Sequence, residues 1–319
     1  MANDTLTAIG EALIDFIPDK TGCDFCDVTG FSPQVGGAPA NVCAAYSRLG
    51  GKSRMITQLG NDPFGEKITR TLRSAGVDTS HIRYTDEANT ALAFVSLAAD
   101  GNRTFSFYRK PSADMLLSAD DISAEMFTGT FALHFCSVSL GDFPMRAAHE
   151  HAIALARAEG ALISFDPNLR FPLWNDRSAL KEAVLRFLPM SDIIKISDEE
   201  LEFITGETDI ERALPSLFSG NVRLVIYTCG ADGAYAFTRS AKAFAPSVKV
   251  KAVDTTGAGD GFIGSFLWKL HSLRHTADSI DNMTARELTE LLVFSNSFCA
   301  KSVTAHGAIA SYPGLSEMC

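Results

Sequence analysis

The chain has 319 residues, 46% of them hydrophobic, and 28 Lys and Arg against 38 Asp and Glu give a formal charge of −10. That length can bury one large α/β core, alone or with a small appendage, and an acidic chain without clustered Lys and Arg argues against a nucleic-acid partner. No apolar run approaches the ~20 residues of a membrane span, and Met1 to Gly10 lacks a basic stretch ahead of an apolar one, so a cytoplasmic protein is expected.

In chain order, short apolar strand-like runs alternate with helical patterns. Leu6 to Gly10 reads as the first strand and continues into Ala12 to Ile17. After Gly36-Gly37-Ala38-Pro39, the segment Asn41 to Leu49 places Val42, Ala45, Tyr46 and Leu49 on one helical face. Ser53 to Leu59 reads as a strand and Phe64 to Ala75 as a helix ended by Gly76. Thr90 to Ala98 and Arg103 to Tyr108 form a strand pair around the turn signal Asp100-Gly101. This hairpin interrupts the rhythm and suggests a small lid or inserted sheet.

The rhythm resumes with strand Ala132–Ser137, helix Arg146–Glu159, strand Ala161–Phe165, helix Ser178–Leu188, strand Ile193–Ile196 and helix Glu199–Thr205. Arg223 to Thr228, Ala234 to Thr238 and Val248 to Val253 read as strands, Gly261 to Leu270 as a helix, and Ala285 to Thr304 as the last long helix. Such alternation predicts a mostly parallel sheet with helices on both faces. Seven cysteines (23, 26, 43, 136, 229, 299 and 319) are irregularly spaced, which speaks against a disulfide framework. Cys23 and Cys26 form a lone C-x-x-C with no second ligand pair, and an incidental loop pair is expected rather than a metal site.

The most informative segment is Asp254-Thr255-Thr256-Gly257-Ala258-Gly259-Asp260-Gly261. It lies between a predicted strand and a helix whose Phe262, Ile263, Phe266, Leu267 and Leu270 are apolar. A Gly-rich turn at a helix N-terminus exposes amides and forms an anion site, suited to the charge of a transferred phosphoryl group. No G-x-x-x-x-G-K-[ST] loop accompanies it, and no G-x-G-x-x-G follows the first strand. Asp260 beside an anion site repels phosphate unless a substrate hydroxyl lies between them, in which case it orients that hydroxyl and takes its proton. The bland alternative is a capping Asp on a tight turn.

Other residues carry weaker signals. Asp15, flanked by Ile14 and Phe16, is costly to bury unless paired or bound to a polar ligand, and a carboxylate accepts two sugar hydroxyls well. Gly36, Gly37 and Asn41 combine close backbone approach with a bifunctional amide, which suits a polyol. Phe107 and Arg109 alternate on one strand, so an aromatic floor with an adjacent cation could cover a sugar and steady a phosphate. Asn168 and Arg170 follow a strand end, where open α/β sheets place ligands, and Arg170 could counter phosphoryl charge. Each also has a structural reading: a strand-end salt bridge, a helix start, lid packing, or turn chemistry beside Pro167.

Taken together, D-T-T-G-A-G-D (Asp254 to Asp260) and Gly36-Gly37-Ala38-Pro39-Ala40-Asn41 resemble the two signatures of the ribokinase-like (PfkB) carbohydrate kinases, in the right order. Gly10 to Asp15, Asn61 to Gly65, Gly76-Val77-Asp78, Phe107-Tyr108-Arg109, Asp166 to Arg170 and Thr205-Gly206-Glu207 extend the similarity along nearly the whole chain, and several look like the fructokinase branch, notably Phe107-Tyr108-Arg109 followed by Ala113-Asp114 and Asp166 to Arg170 running into Leu173-Trp174. Cys43 and Ser265 depart from the family pattern by small volumes, and Ser197 replaces the Asn of the family's N-x-x-E motif, whose glutamate matches Glu200.

The resemblance implies a Rossmann-like, three-layer α/β core with a mostly parallel sheet, spanning residues 1–319 as one kinase domain, with a small β-sheet lid from about 11–36 and 91–112. It implies ATP-dependent phosphorylation of a primary hydroxyl on a small sugar, fructose first, with 2-keto-3-deoxygluconate, ribose, tagatose or a nucleoside as alternatives. A non-catalytic sugar sensor is the remote one. Asp260 would be the base; the Gly257, Ala258 and Gly259 amides and Arg170 would stabilise charge; Asp15, Gly36, Gly37, Asn41, Phe107, Arg109 and Asn168 would surround the sugar. Lys195, Thr228, Gly230, Gly233, Gly257, Gly259 and Asn296 would adjoin the nucleotide. Glu200 would link indirectly to Mg²⁺. A potassium ion would sit at Asp254, Thr256, Ser302, Ala305, Gly307 and Ser311, held mostly by backbone carbonyls. Relatives often pair through their lids, so a homodimer is expected.

Overall fold

The computed structural model describes residues 3–20, 22–23, 25–97 and 103–318. The strands are β1 (Thr5–Ile9), β2 (Leu13–Pro18), β3 (Phe31–Gly36), β4 (Lys52–Gly60), β5 (Val77–Asp78), β6 (Ile82–Thr85), β7 (Leu92–Leu97), β8 (Arg103–Tyr108), β9 (Thr130–Cys136), β10 (Leu162–Asp166), β11 (Ile193–Ser197), β12 (Leu224–Thr228), β13 (Gly233–Phe237) and β14 (Lys242–Pro246). The helices are α1 (Ala38–Arg48), α2 (Pro63–Ser74), α3 (Pro144–Ala158), α4 (Arg177–Phe187), α5 (Asp198–Thr205), α6 (Ile210–Leu217), α7 (Ala258–Ser272), α8 (Ala277–Ile280) and α9 (Ala285–Ser302).

A ten-stranded sheet runs in the order β14-β13-β12-β11-β10-β9-β1-β4-β5, with β6 also paired to β4. Pairings from β12 through β4 to β5 and β6 are parallel; β13 and β14 are antiparallel. Its central strands are apolar on both faces because helices cover both. Alternate residues split between the layers: Leu133 and Phe135 pack with α3 to α6, while Ala132 packs with α7 and α9. Helices α1 and α2 complete the second layer against Met55 and Leu59 of β4. The three-layer α/β class read from the sequence is the observed one.

A second, four-stranded sheet has the order β3-β2-β7-β8. The sequence reading ran the first strand on through Ile17. Instead the chain leaves the large sheet after Ile9, and β2 pairs with β3 and β7. Gly10 (φ 150°) makes the exit possible, since a Cβ there would lie 2.5 Å from the Pro39 ring. The Asp100-Gly101 turn lies outside the described residues. No strand forms at Val248 to Val253 either: Val248, Val250 and Val253 are exposed, so their alternation follows no buried face. The strand before the Gly-rich turn is β14, bonded to β13. Helix α6 went unread, because Pro215 inside it breaks the helical signal.

Strands β1, β9 and β10 end side by side at Ile9, Cys136 and Asp166. The residues that follow them meet the start of α7 in one cleft at the C-terminal edge of the sheet. Among the described residues no helix is long and apolar enough to cross a membrane, and the six described cysteines are free.

Candidate active site

Helix α7 begins at Gly257, which takes a left-handed φ of 71° and supplies no side-chain cap. A Cβ there would sit 2.4 Å from the Ala308 methyl, so only glycine fits the turn. The Ala258 N–H donates to Thr255 O at 3.2 Å. Ala258 therefore drops out of the expected amide set. The next first-turn amides, of Gly259 and Asp260, precede the first helical bond, Gly261 N–H to Gly257 O, and so have no acceptor within the helix, which leaves them available to an anion. Lys195 Nζ lies close by, 3.4 Å from where a Cβ on Gly259 would fall.

Asp260 is buried, at 6% exposure, and it faces the cleft, not the interior, among the residues that line it. Its Oδ2 accepts from Asn41 Nδ2 at 2.8 Å and its Oδ1 from Asn168 Nδ2 at 2.9 Å. Burial raises its pKa above the ordinary aspartate value, while Asn41, Arg170, Lys195 and Asn168 pull it back. Asn168 reaches it through a left-handed backbone (φ 46°) that Asn tolerates better than most residues. Both asparagines were expected at the sugar; their amide nitrogens are engaged with Asp260.

Around this carboxyl stand Glu11, Leu13, Asp15, Gly37, Ala38, Phe107, Val138, Arg170, Leu173, Thr256 and Gly257. Asp15, Asn41, Phe107, Asn168 and Arg170 thus come together as the sequence predicts. Gly36 belongs because a Cβ on it would fall 2.1 Å from Asp15 Oδ2. Arg109 does not join them as a phosphate ligand: it lies just beyond β8, 5% exposed. It is ion-paired to Asp114 and donates to Val138 O at 3.2 Å. A buried, paired guanidinium has little reach for an incoming phosphate.

Sequence reasoning missed Glu11. It is 2% exposed and accepts from Ser139 Oγ at 2.9 Å and from the Ala38 N–H at 3.3 Å. Burial pushes its carboxyl up to about 7, against the pull of Arg109. The available signal was an acid inside the otherwise apolar run Ala8 to Ile14, the same signal that singled out Asp15.

The expected nucleotide residues scatter more. Lys195 Nζ pairs with Asp166 at 2.8 Å beneath Gly259. Burial opposes its charge, yet Asp166, Glu200 and Asp260 override this and raise its pKa. Thr228 ends β12, and Gly230 lies in the following turn. Gly233 is required by packing, for a Cβ there would be 2.2 Å from Ala245 O. Asn296 Nδ2 donates to Ala245 O at 2.9 Å and Pro246 O at 3.2 Å, so its amide ties α9 to the end of β14.

For metals, Glu200 accepts from the Ser197 and Leu169 N–H groups at 2.9 and 2.7 Å, capping α5 and holding the segment of Asn168 and Arg170. Ser197 serves as that helix's N-cap, in a capping box with Glu200. Asp254 accepts from Thr256 N–H (2.9 Å), Thr256 Oγ1 (2.7 Å) and Gly307 N–H (2.9 Å). It thereby clasps the turn before α7 to the segment after α9. Ser302 and Ser311 donate their hydroxyls to Cys299 O and Ala308 O, both at 2.9 Å. Ala305 lies in the same segment, its N–H on Ser302 O at 3.3 Å. Among the described residues no group of three His, Cys, Asp or Glu could hold a metal.

Comparison with known proteins bears on the family and the fold. Residues 3–315 match the model of the pfkB family carbohydrate kinases. Fructokinase-2 of Solanum lycopersicum is 41% identical over 98% of this chain and 94% of its own; fructokinase-1 of Zea mays is 40% identical over 98% and 96%. Among solved structures, the fructokinase of Xylella fastidiosa with bound ATP superposes with a TM-score of 0.92 at 33% identity, covering 100% of this chain and 97% of that one. The Vibrio cholerae fructokinase with fructose, ADP and calcium has a TM-score of 0.86 at 34% identity, covering 99% and 97%. With a family model matched across residues 3–315 and relatives about 40% identical over nearly the whole chain, the chain belongs to the pfkB family of carbohydrate kinases.

Proposed function

We propose that this protein is an ATP-dependent fructokinase in which Asp260 activates a primary hydroxyl of the sugar. The observation that carries the reading is the Asp260 carboxylate, held between two asparagine amides beside the free amides of Gly259 and Asp260. Each carboxylate oxygen keeps a lone pair for a further donor. A sugar hydroxyl placed there gives its proton to Asp260 as its oxygen bonds to the γ-phosphorus of ATP, and ADP leaves in line. The raised pKa makes Asp260 a better proton acceptor than a free aspartate. Arg170 and the two amides meet the charge that develops on the phosphoryl oxygens, and Lys195 lies below them.

The charge of the pocket favours a neutral sugar. Its ionisable lining is Glu11, Asp15 and Asp260 against Arg170, and Arg109 is spent on Asp114. An acidic sugar such as 2-keto-3-deoxygluconate would meet repulsion. Asp15, with the Gly36 and Gly37 backbone and Phe107, would bind the sugar's remaining face.

Mg²⁺ carried on the ATP phosphates would shield their charge and fits a site that offers few carboxylates of its own. Asp166 Oδ1, buried and without a hydrogen-bond partner, is an oxygen able to accept from the ion's hydration shell, while Glu200 acts only through the segment it holds. The paired loops at Asp254 and Gly307 suit K⁺, whose bound charge would steady the turn before α7. The small sheet of β2, β3, β7 and β8 acts as a lid on the cleft and excludes water from the transfer. The reading includes a cytoplasmic location, where ATP is supplied, and a homodimer joined through the small sheet.

The test is sugar-dependent ATP turnover across fructose, ribose, tagatose, 2-keto-3-deoxygluconate and a nucleoside. Fructose should show the highest kcat/KM, and Asp260→Asn should lower kcat by about 10²- to 10⁴-fold. An Asp260→Asn enzyme with the wild-type rate removes the base, and absence of turnover with every sugar removes the kinase.

A further inference from the structure

We propose that Tyr312 is a positioning residue for phosphoryl transfer, fixing the turn at the start of α7 from the far end of the chain. Its hydroxyl donates to Gly257 O at 2.8 Å. The same carbonyl accepts the first helical bond from the Gly261 N–H, also at 2.8 Å. A peptide unit is planar, so a second donor on this oxygen fixes the rotation of the whole Gly257–Ala258 plane. That plane sets the direction of the next amides, Gly259 and Asp260, and the entry angle of the Asp260 side chain.

The turn needs such support. Its N-cap is a glycine with no side-chain cap, and glycine is the residue freest to leave a left-handed conformation. Tyr312 is built to hold it. The residue is 1% exposed, its ring packs on Phe298 with centroids 5.5 Å apart, and it underlies both glycines of the turn. A Cβ on Gly257 would lie 2.7 Å from its hydroxyl and one on Gly261 3.0 Å from its ring. Burial, with Asp260 and Cys299 nearby, raises its phenol well above the usual value, so it stays protonated and donates.

Its backbone is anchored as well, since Arg48 Nε donates to Tyr312 O at 3.1 Å. Arg48 ends α1, and Asn41 of the same helix bonds Asp260. Tyr312 therefore stands between the helix that presents the anion site and the helix that orients the base. It is not among the residues that line the cleft.

The inference rests on the fructokinase reading, and the test separates the two. Tyr312→Phe removes one oxygen and leaves Gly257 O its helical bond, so the fold should persist with Tm near the wild type. Expected is a kcat about tenfold lower, less than the loss for a direct oxyanion donor, with KM for fructose unchanged. Affinity for the ADP–Mg²⁺–fructose–aluminium fluoride complex, a mimic of the transferring phosphoryl, should fall by a similar factor. ADP and fructose without aluminium fluoride should bind as to the wild type. A kcat within twofold of the wild type overturns the proposal. So does a loss shared by fructose KM, or a collapse of Tm, since the hydroxyl would then serve the fold alone. A wild type without fructose-dependent turnover defeats the fructokinase reading instead.

Discussion

Glu11 is a carboxyl group at the floor of the pocket with almost no water around it. Its neighbours are the Ser139 hydroxyl, the Ala38 amide and the Arg109–Asp114 pair. Burial raises it from 4.5 to about 7, and the sign of the consequence follows from linkage. Below about pH 4.5 both folded and unfolded chains hold the proton. Between about 4.5 and 7 only the unfolded chain gives it up, so folded stability declines as pH rises, and above 7 the penalty is complete. The ceiling is roughly 3 kcal/mol. Glu11→Gln removes the titration and keeps an acceptor for Ser139. Its denaturation midpoint relative to the wild type should therefore rise between pH 5 and pH 8.5. An equal gap at both pH values would mean that Glu11 stays ionised throughout. The acid itself was visible in an apolar stretch of sequence; its depth was not, because burial depends on β9 and α1 arriving beside it.

At the scale of elements, the junction of β3 and α1 carries two glycines with different work. A Cβ on Gly36 would meet the Asp15 carboxylate, the mobile end of a side chain, whereas one on Gly37 would meet the Glu11 carbonyl at 2.5 Å. Gly37 also has φ 104°, a conformation costly for any other residue. Gly36→Ala should fold with nearly unchanged Tm and displace Asp15, raising KM for fructose about tenfold with a smaller effect on kcat. Gly37→Ala should lose roughly 1–3 kcal/mol in urea denaturation. Equal behaviour of the two in both assays would refute the assignment of separate roles. The pair was legible from the sequence as a close-approach site, and so was the Gly-rich turn at α7. Which amides remain free was not: Ala258 loses its own to Thr255 through a local turn that glycine spacing does not reveal. Val248 to Val253 misled because alternation records composition, and only a covering layer turns it into a strand.

At the scale of the molecule, the small sheet has an aromatic face. Phe16, Phe31 and Phe94 pack together, with Phe25 and Tyr108 at their margin, and Phe25 and Tyr108 are 38% and 63% exposed. Exposed aromatics beside strand edges invite a second copy. The chain should sediment as a dimer, and the double variant Phe25→Glu, Tyr108→Glu as a monomer; a wild-type monomer at micromolar concentration contradicts the pairing.

By itself the sequence determined the class of fold, the Gly-rich anion turn, the acid within it, and most of the pocket's polar side chains. Those signals are local: periodicity, glycine placement and an acid where a strand should be apolar. Tertiary structure alone decided the pairings between distant residues: Asn41 and Asn168 on Asp260, Arg109 on Asp114, Asn296 on the end of β14, Tyr312 on Gly257. A hydrogen-bonding side chain takes whichever complementary group packing brings within 3 Å, and no spacing along the chain encodes which one that is.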